Sequence, residues 1–407
     1  MTDLSVGEAA TGSGDRSRPR SALPALCATQ ITSWGIVYYA FPVLNPQITA
    51  ATGWSAGSTT AAFSLALVVS AIAGIRVGRI LDHRGSRTVM TSGSVLATLS
   101  LLVVAAAPNP AVFHAGWVLA GIAMACTFYQ PAFAAITRWW APEHVRALTV
   151  VTLAGGLAST VFAPLTAVLA DHLSWRATYA VLAGILALVT VPAHAFALNA
   201  PWPQPADATA HADKSGTRSV TRSLPFRMLA TALTLSAFAM YAVVIALVPL
   251  LLERGYSTTQ AAWVLGLGGA GQTLGRTLYG SLARRTGVTT RTVTLIVLGG
   301  ITTAALALVP GPYALLAALS VAAGTVRGNL TLLQATAVTD RWGTSHYGRL
   351  SGILAAPGAT AAALAPFAGA ALAGSLGGYP ALFLALAVLS AAAAAFAAFG
   401  KAARRHP

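Results

Sequence analysis

Gly78-Arg79-Ile80-Leu81-Asp82-His83-Arg84-Gly85-Ser86-Arg87 is a short charged knot between two long apolar runs. Its two glycines, seven positions apart, predict a tight turn with close backbone approach. Asp82 is the single carboxylate among Arg79, Arg84 and Arg87. A knot of this kind between two runs of membrane-crossing length reads as a clamped hairpin on the cytoplasmic side, and the rest of the chain is placed relative to it.

Charged residues make up 9% of the 407, against about 25% in an ordinary soluble domain. Apolar residues make up 56%, and the mean hydropathy is +0.69. A soluble fold of this length could not hide that much apolar surface, so lipid must solvate it. Cys27 and Cys126 both fall in apolar runs, which excludes a disulfide framework. The formal charge of +15 is scattered between apolar segments and is not gathered on one polar face, so it reads as membrane topology and not as a nucleic-acid surface. Residues 1–22 carry Asp3, Glu8, Asp15, Arg16, Arg18 and Arg20 ahead of a full-length apolar run. They are expected to be a cytoplasmic tail before a retained first span and not a cleaved signal.

Crossing a bilayer as a helix takes about 20 apolar residues, and twelve such segments fit the chain. The first six lie at about 24–46, 57–81, 88–107, 111–137, 147–170 and 175–199 by that rule. The last six lie at about 226–252, 258–282, 291–309, 312–338, 347–373 and 378–400. The fold class predicted is an all-α membrane protein of twelve transmembrane helices in two pseudo-symmetric six-helix bundles, 23–199 and 226–400. A polar linker over 200–225 separates them, rich in Pro201, Pro203, Pro205, Asp213, Lys214 and Arg218, and a cytoplasmic tail follows at 401–407.

With the N-terminus inside, all but three of the 25 lysines and arginines fall on or near the cytoplasmic side. The exceptions are Arg176 and Arg254 outside and Arg327 at membrane depth. The halves also repeat. Gly280-Ser281-Leu282-Ala283-Arg284-Arg285-Thr286-Gly287 begins 202 positions after Gly78, keeps the glycine spacing, and sits at the same place between a second and third span. Arg284 stands where Asp82 would be, so an acid-based latch is expected in the first half alone. A duplication of six spans points to a transporter.

The opening stretch resembles the Gly-x-Leu-Ala-Asp-Arg-x-Gly-Arg-Lys loop of the major facilitator superfamily. Several fragments resemble the monocarboxylate porters within it: Tyr39-Ala40-Phe41-Pro42, Gly85-Ser86-Arg87 with Val89-Met90, Trp139-Trp140 to Arg146-Ala147, Ala163-Pro164-Leu165 after Gly156, and Ser174-Trp175-Arg176. The resemblance implies two bundles around a central cavity that opens alternately to either side. It also implies an Asp82 that pairs across the bundle interface, with Arg84 and Arg87 as supporting charges, and a substrate-carboxylate arginine at Arg276, four residues before Gly280. Two places depart from the porters: Val43 replaces their span-one lysine and Gln272 their span-eight aspartate. Both places are tied to proton coupling in that family.

Arg276 shares a helical face with Gln272 and Thr273. It either pairs with a carboxylate from the cavity or snorkels to the headgroups. Arg327 lies near the middle of span ten with Thr331 and Gln334 on its face, and an arginine there costs at least ~2.5–3.5 kcal/mol unless it faces water or a partner. None of the ten acids, Asp82 and Asp340 included, falls in mid-span, so the counter-ion is either the substrate or neighbouring carbonyls. Tyr38, Tyr39 and Asn45 in span one, Tyr129 and Gln130 in span four, and Tyr241 in span seven could orient a ligand or simply pack. His114 and His194 are read as interfacial. Gly78, Asp82, Arg84, Gly85, Arg87, Gly280 and Gly287 are the gating candidates, and Arg276, Arg327, Gln272, Tyr39, Tyr129, Gln130, Tyr241 and Gln334 the substrate candidates. No phosphate loop, metal cluster or nucleophile elbow is present in the sequence, so neither an enzyme nor a cofactor or metal is expected. The function expected is a monomeric transporter in the cytoplasmic membrane, carrying a small monocarboxylate-like organic anion, optionally with protons. A proton-coupled drug or metabolite exporter on the same fold is the alternative.

Overall fold

The computed structural model describes residues 19–140, 144–202, 219–343 and 347–400. Most of the predicted tails (1–22 and 401–407) and the middle of the linker lie outside the described residues. The rest is helical, with no strand among the described residues. The first half comprises α1 (Ala22–Ser33), a π turn (Trp34–Tyr39), α2 (Ala40–Thr52), α3 (Ala56–Ala106), α4 (Pro110–Thr127), α5 (Tyr129–Trp139), α6 (His144–Gly156), α7 (Ala158–His172), α8 (Trp175–Pro192) and a second π turn (Ala193–Ala197). The second comprises α9 (Leu224–Glu253), α10 (Thr258–Arg285), α11 (Val288–Leu308), α12 (Tyr313–Thr336), the short α13 (Thr339–Trp342), α14 (Tyr347–Leu376) and α15 (Tyr379–Phe399).

Nine helical rods among the described residues are long and apolar enough to cross a membrane. One of them, α3, holds 51 residues, about 75 Å of helix against a hydrocarbon core of ~30 Å. Its backbone leaves the helical region only at Gly85, with φ 78° and ψ 166°. The two arms meet beside that glycine in a cluster of Val77, Leu81, Val89 and Ala125. The predicted turn thus needs one glycine and not two. Gly78 is helical, with open space where a Cβ would stand. The echo differs again: α10 passes to α11 through extended Thr286 and Gly287, and neither Gly280 nor Gly287 adopts positive φ.

Three rods of the first half are interrupted in mid-course, each for a local chemical reason. Pro131 has no N–H to give the Thr127 carbonyl, and α4 gives way to α5 at Phe128. Gln30 Nε2 supplies the missing donor to that carbonyl at 2.7 Å. The π turn at Trp34–Tyr39 lies just upstream of Pro42, and the Ala40 N–H reaches back to the Gly35 carbonyl. Gly155 and Gly156 precede the break at Leu157 between α6 and α7.

In the second half α10 and α12 pack backbone to backbone, because glycines face carbonyls. A Cβ on Gly324 would lie 1.9 Å from Gly268 O, and one on Gly328 2.0 Å from Gln272 O. The first half keeps a counterpart: a Cβ on Gly121 in α4 would lie 2.3 Å from Ala66 O in α3, and Ala66 is 202 positions before Gly268.

Residues 21–22, 85, 139 and 197–202 gather at one end of the first half, and residues 225, 228 and 400 at one end of the second. We call this the linker face and the opposite one the distal face. One hydrophobic core joins both halves and lies wholly toward the distal face, from Phe41, Phe63 and Trp117 to Val248, Leu265 and Phe383. The cores nearer the linker face belong to one half each. The apolar seal between the halves is therefore distal, while the hydrophobic cores toward the linker face stay within one half each.

Candidate functional site

Two guanidinium groups face one central cavity of about 260 Å³, lined also by Trp34, Tyr38, Tyr39, Tyr129, Phe133, Tyr241 and Gln272. α10 carries Arg276 and α12 carries Arg327, and the glycine contacts between these helices bring the two arginines to the same wall. No aspartate or glutamate is among the described lining residues.

Arg276 does not snorkel. Its Nη1 crosses the boundary between the halves and donates to the Thr152 carbonyl in α6. Tyr129, whose hydroxyl lies against Gly155, lines the same cavity. The crossing is possible because residues 155 and 156 are glycines. A Cβ on Gly155 would strike the Tyr129 hydroxyl, and one on Gly156 would lie 2.7 Å from Thr273 Oγ1 and 2.9 Å from Arg276 Nη1. Thr273 Oγ1 and Thr160 Oγ1 extend the same seam with bonds to Leu153 O at 3.5 Å and Gly266 O at 2.8 Å. Thr259 closes its distal end on Asp171, and Ser64 Oγ accepts from the Phe367 N–H at 3.0 Å on the other side of the molecule.

Arg327 donates to Gly268 O at 3.3 Å, while its Nε has no hydrogen-bond partner. The carbonyl ligation that the sequence left open is thus present in one bond and incomplete. Tyr38, Tyr39, Tyr241 and Arg276 line the same cavity as the guanidinium. Two like charges in an apolar cavity favour any anion placed between them.

Six of the eight substrate candidates line this cavity; Gln130 and Gln334 line two others that adjoin it. Tyr241 lines all three. Asn45 is buried in α2 and lies outside these linings. His194 is not interfacial as expected: it is fully buried, with Nδ1 2.7 Å from Ser94 Oγ. Trp34, Phe128 and Phe133 went unrecognised, because an aromatic residue in an apolar span has no distinguishing pattern of its own. Their signal was indirect, through the nearby Pro42 and Pro131.

The gating motif pairs differently from the expectation. Asp82 binds Arg138, at the end of α5, at 2.5 Å, so the pair lies within the first half and not across the interface. Arg84 and Arg87 are exposed and make no ion pair among the described residues. Trp202, in the first turn of the linker, covers the pair. Arg138 stacks over its ring at 4.5 Å, its Nε1 donates to Asp82 O at 3.2 Å, and its side chain lies 3.2 Å from where a Gly85 Cβ would be. The second half has a latch too, which corrects the expectation that it had lost one. Arg291 binds Asp340 at 2.5 Å and caps α10 through Ala283 O and Thr286 O, each at 3.3 Å. Asp340 is 202 positions after Arg138, whereas the position 202 after Asp82 is Arg284 and not Arg291, so the two latches share one repeat position, with opposite charge, and take their other partner from elsewhere. That offset was legible in the sequence.

Two helical halves with a charged cavity between them have the form of a membrane transporter. The sequence model of the Major Facilitator Superfamily matches residues 26–328 and 230–407, and the chain belongs to that family. It is a family of transporters and not of enzymes. Monocarboxylate transporter 13 of Bos taurus is 26% identical over 260 residues, 63% of this chain and 58% of that protein. Monocarboxylate transporter 11 of Homo sapiens is 30% identical over 232 residues, 56% of this chain and 49% of that one. The MFS-type transporter YcxA of Bacillus subtilis (strain 168) is 29% identical over 139 residues, 34% of each chain. The chain thus spans between a third and three fifths of the length of these relatives. Among solved structures, a bacterial homologue of the human lysosomal transporter Spinster, inward-facing and unoccupied, superposes with a TM-score of 0.75 at 14% identity, over 95% of this chain and 98% of that one. The nucleoside transporter NupG does so with a TM-score of 0.75 at 14% identity, over 93% and 99%. At such identity these two speak for the fold alone.

Proposed function

We propose that this transporter moves a small organic anion of the monocarboxylate type by alternating access. The observation that carries the reading is the convergence of Arg276 and Arg327 on one cavity without a lining carboxylate among the described residues. The likeness to monocarboxylate transporters supports the same class. In this reading the linker face is cytoplasmic and the protein works as a monomer in the cytoplasmic membrane. The anion enters between the halves and supplies the charge that Arg327 lacks. Tyr39, Tyr129, Tyr241 and Gln272 orient it through hydroxyl and amide groups, and Gln130 and Gln334 act from the adjoining spaces. Asp82 with Arg138, and Arg291 with Asp340, hold each half rigid at the linker face as the halves rock. No carboxylate lies in mid-span, so a coupled proton travels on the substrate itself.

The test is uptake of labelled monocarboxylates into proteoliposomes by Arg276→Gln and Arg327→Gln. Loss of a buried charge-assisted partner predicts a fall of about 100-fold or more in uptake rate for each, with unchanged gel-filtration profiles. Wild-type rates in both variants would remove the anion site.

A further inference from the structure

The central space is divided. The lobe of about 260 Å³ holds both arginines. A second lobe, of about 240 Å³, shares Trp34, Tyr38, Tyr129 and Tyr241 with it and has no charged residue in its described lining. Its far wall is Leu67, Met124, Phe128 and the alanines of α14 at 359, 362 and 363. The lobe that holds the arginines is itself aromatic: Trp34, Tyr38, Tyr39, Tyr129, Phe133 and Tyr241 are six of its sixteen lining residues, in a chain that is 8% aromatic.

The rings form ordered walls. Trp34 stacks on Phe128 at 4.1 Å, with an interplanar angle of 22°, and Tyr129 on Phe133 at 5.1 Å and 24°. Both stacks stand at the interruptions imposed by the π turn and by Pro131. Two donors on residues that both lobes share, Trp34 Nε1 and the Tyr38 hydroxyl, are buried without a hydrogen-bond partner, as is Arg327 Nε in the charged lobe.

From this division we propose that the transported anion is an aryl monocarboxylate, with its carboxylate at Arg276 and Arg327 and its ring in the neutral lobe against Trp34, Phe128 and Tyr129. The assignment rests on the anion reading above. An acid of two or three carbons occupies only part of the charged lobe and leaves the rings of the other uncovered. A flat ring buries against them and stacks in the offset or tilted geometry that aromatic pairs prefer. A neutral aromatic molecule would instead leave both guanidinium groups without a counter-charge.

The experiment compares uptake of ¹⁴C-labelled benzoate, phenylacetate, acetate, L-lactate and benzylamine into proteoliposomes holding the full chain. It uses the wild type, Ala359→Leu, Arg276→Gln and Arg327→Gln. The aryl acids are expected to exceed acetate and lactate by about tenfold or more in kcat/KM. Ala359→Leu, which fills the neutral lobe, is expected to compress that ratio to about threefold or less. A ratio within one preparation is insensitive to how much of the variant folds. Acetate or lactate carried as well as the aryl acids, with uptake lost in the arginine variants, overturns the aryl assignment and leaves the anion reading standing. Benzylamine carried while no acid is carried overturns both.

Discussion

Arg276 is the residue on which binding and conformation meet. Its guanidinium is held by a backbone carbonyl of the other half, and not by an acid. In the proposed function an entering anion competes for that donor, which would couple occupancy to the seam between α6 and α10. The coupling depends on the missing side chains at positions 155 and 156. Gly156→Ala should therefore push Arg276 off Thr152 and lower the uptake rate by up to about 100-fold, on the scale of a one-ångström misplacement of a positioning group. Gly184→Ala, where a Cβ meets open space, is the matched control and should transport at the wild-type rate. Equal uptake by the two variants would show that Arg276 does not need its bridge.

At the scale of elements, the two halves have divided the labour. The first half supplies interrupted rods and most of the aromatic wall; the second supplies both arginines on two helices locked together through glycine. Irregular backbone within a bilayer is tolerated where it is buried in protein or lines a cavity, and the breaks at the π turn and Phe128 satisfy that condition. Replacing Pro131 by Ala restores the N–H that Thr127 O lacks and sets it in competition with Gln30. The helix should become continuous and the protein more stable by about 1 kcal/mol or more. Turnover in proteoliposomes should drop, because Phe128 and Tyr129 are re-aimed. A variant no more stable than wild type and fully active would show that the break is not proline's doing.

For the whole molecule, the presence of one latch in each half makes a prediction that neither half makes alone. Asp82–Arg138 and Arg291–Asp340 share one repeat position, with opposite charge. Swapping the charges of the first pair tests whether it too accepts the other order. Asp82→Arg and Arg138→Asp should each reduce turnover several-fold, and the double variant should recover most of it. The coupling between the two positions should be about 1 kcal/mol, as for a partly exposed pair, in a double-mutant cycle on uptake rate. Additive losses would mean that the pair is incidental. The shared repeat position also marks how far the sequence could be read. Arg138 and Asp340 stand 202 positions apart, the same offset as the two glycine motifs, so the repeat was in view. Which acid meets which base was not, because Asp82 and its partner are 56 positions apart and Arg291 is no counterpart of Arg284 in the repeat.

By itself, the sequence determined the membrane setting, the helical class, the duplication and the presence of arginine at depth without acid. Each of these follows from local composition: an apolar run must find lipid, and a charge within it must find a reason. The sequence placed a turn on Gly78 and Gly85 together, and the structure gives it to Gly85 alone, since only glycine enters that backbone region freely. The tertiary structure alone decided the rest. It chose which partner closes each latch, placed Trp202 over the first, sealed the distal side, and brought rings from separate rods to face two guanidinium groups. Those are contacts between positions far apart in the chain, set by how closely glycine lets one helix approach another and by where proline breaks a third.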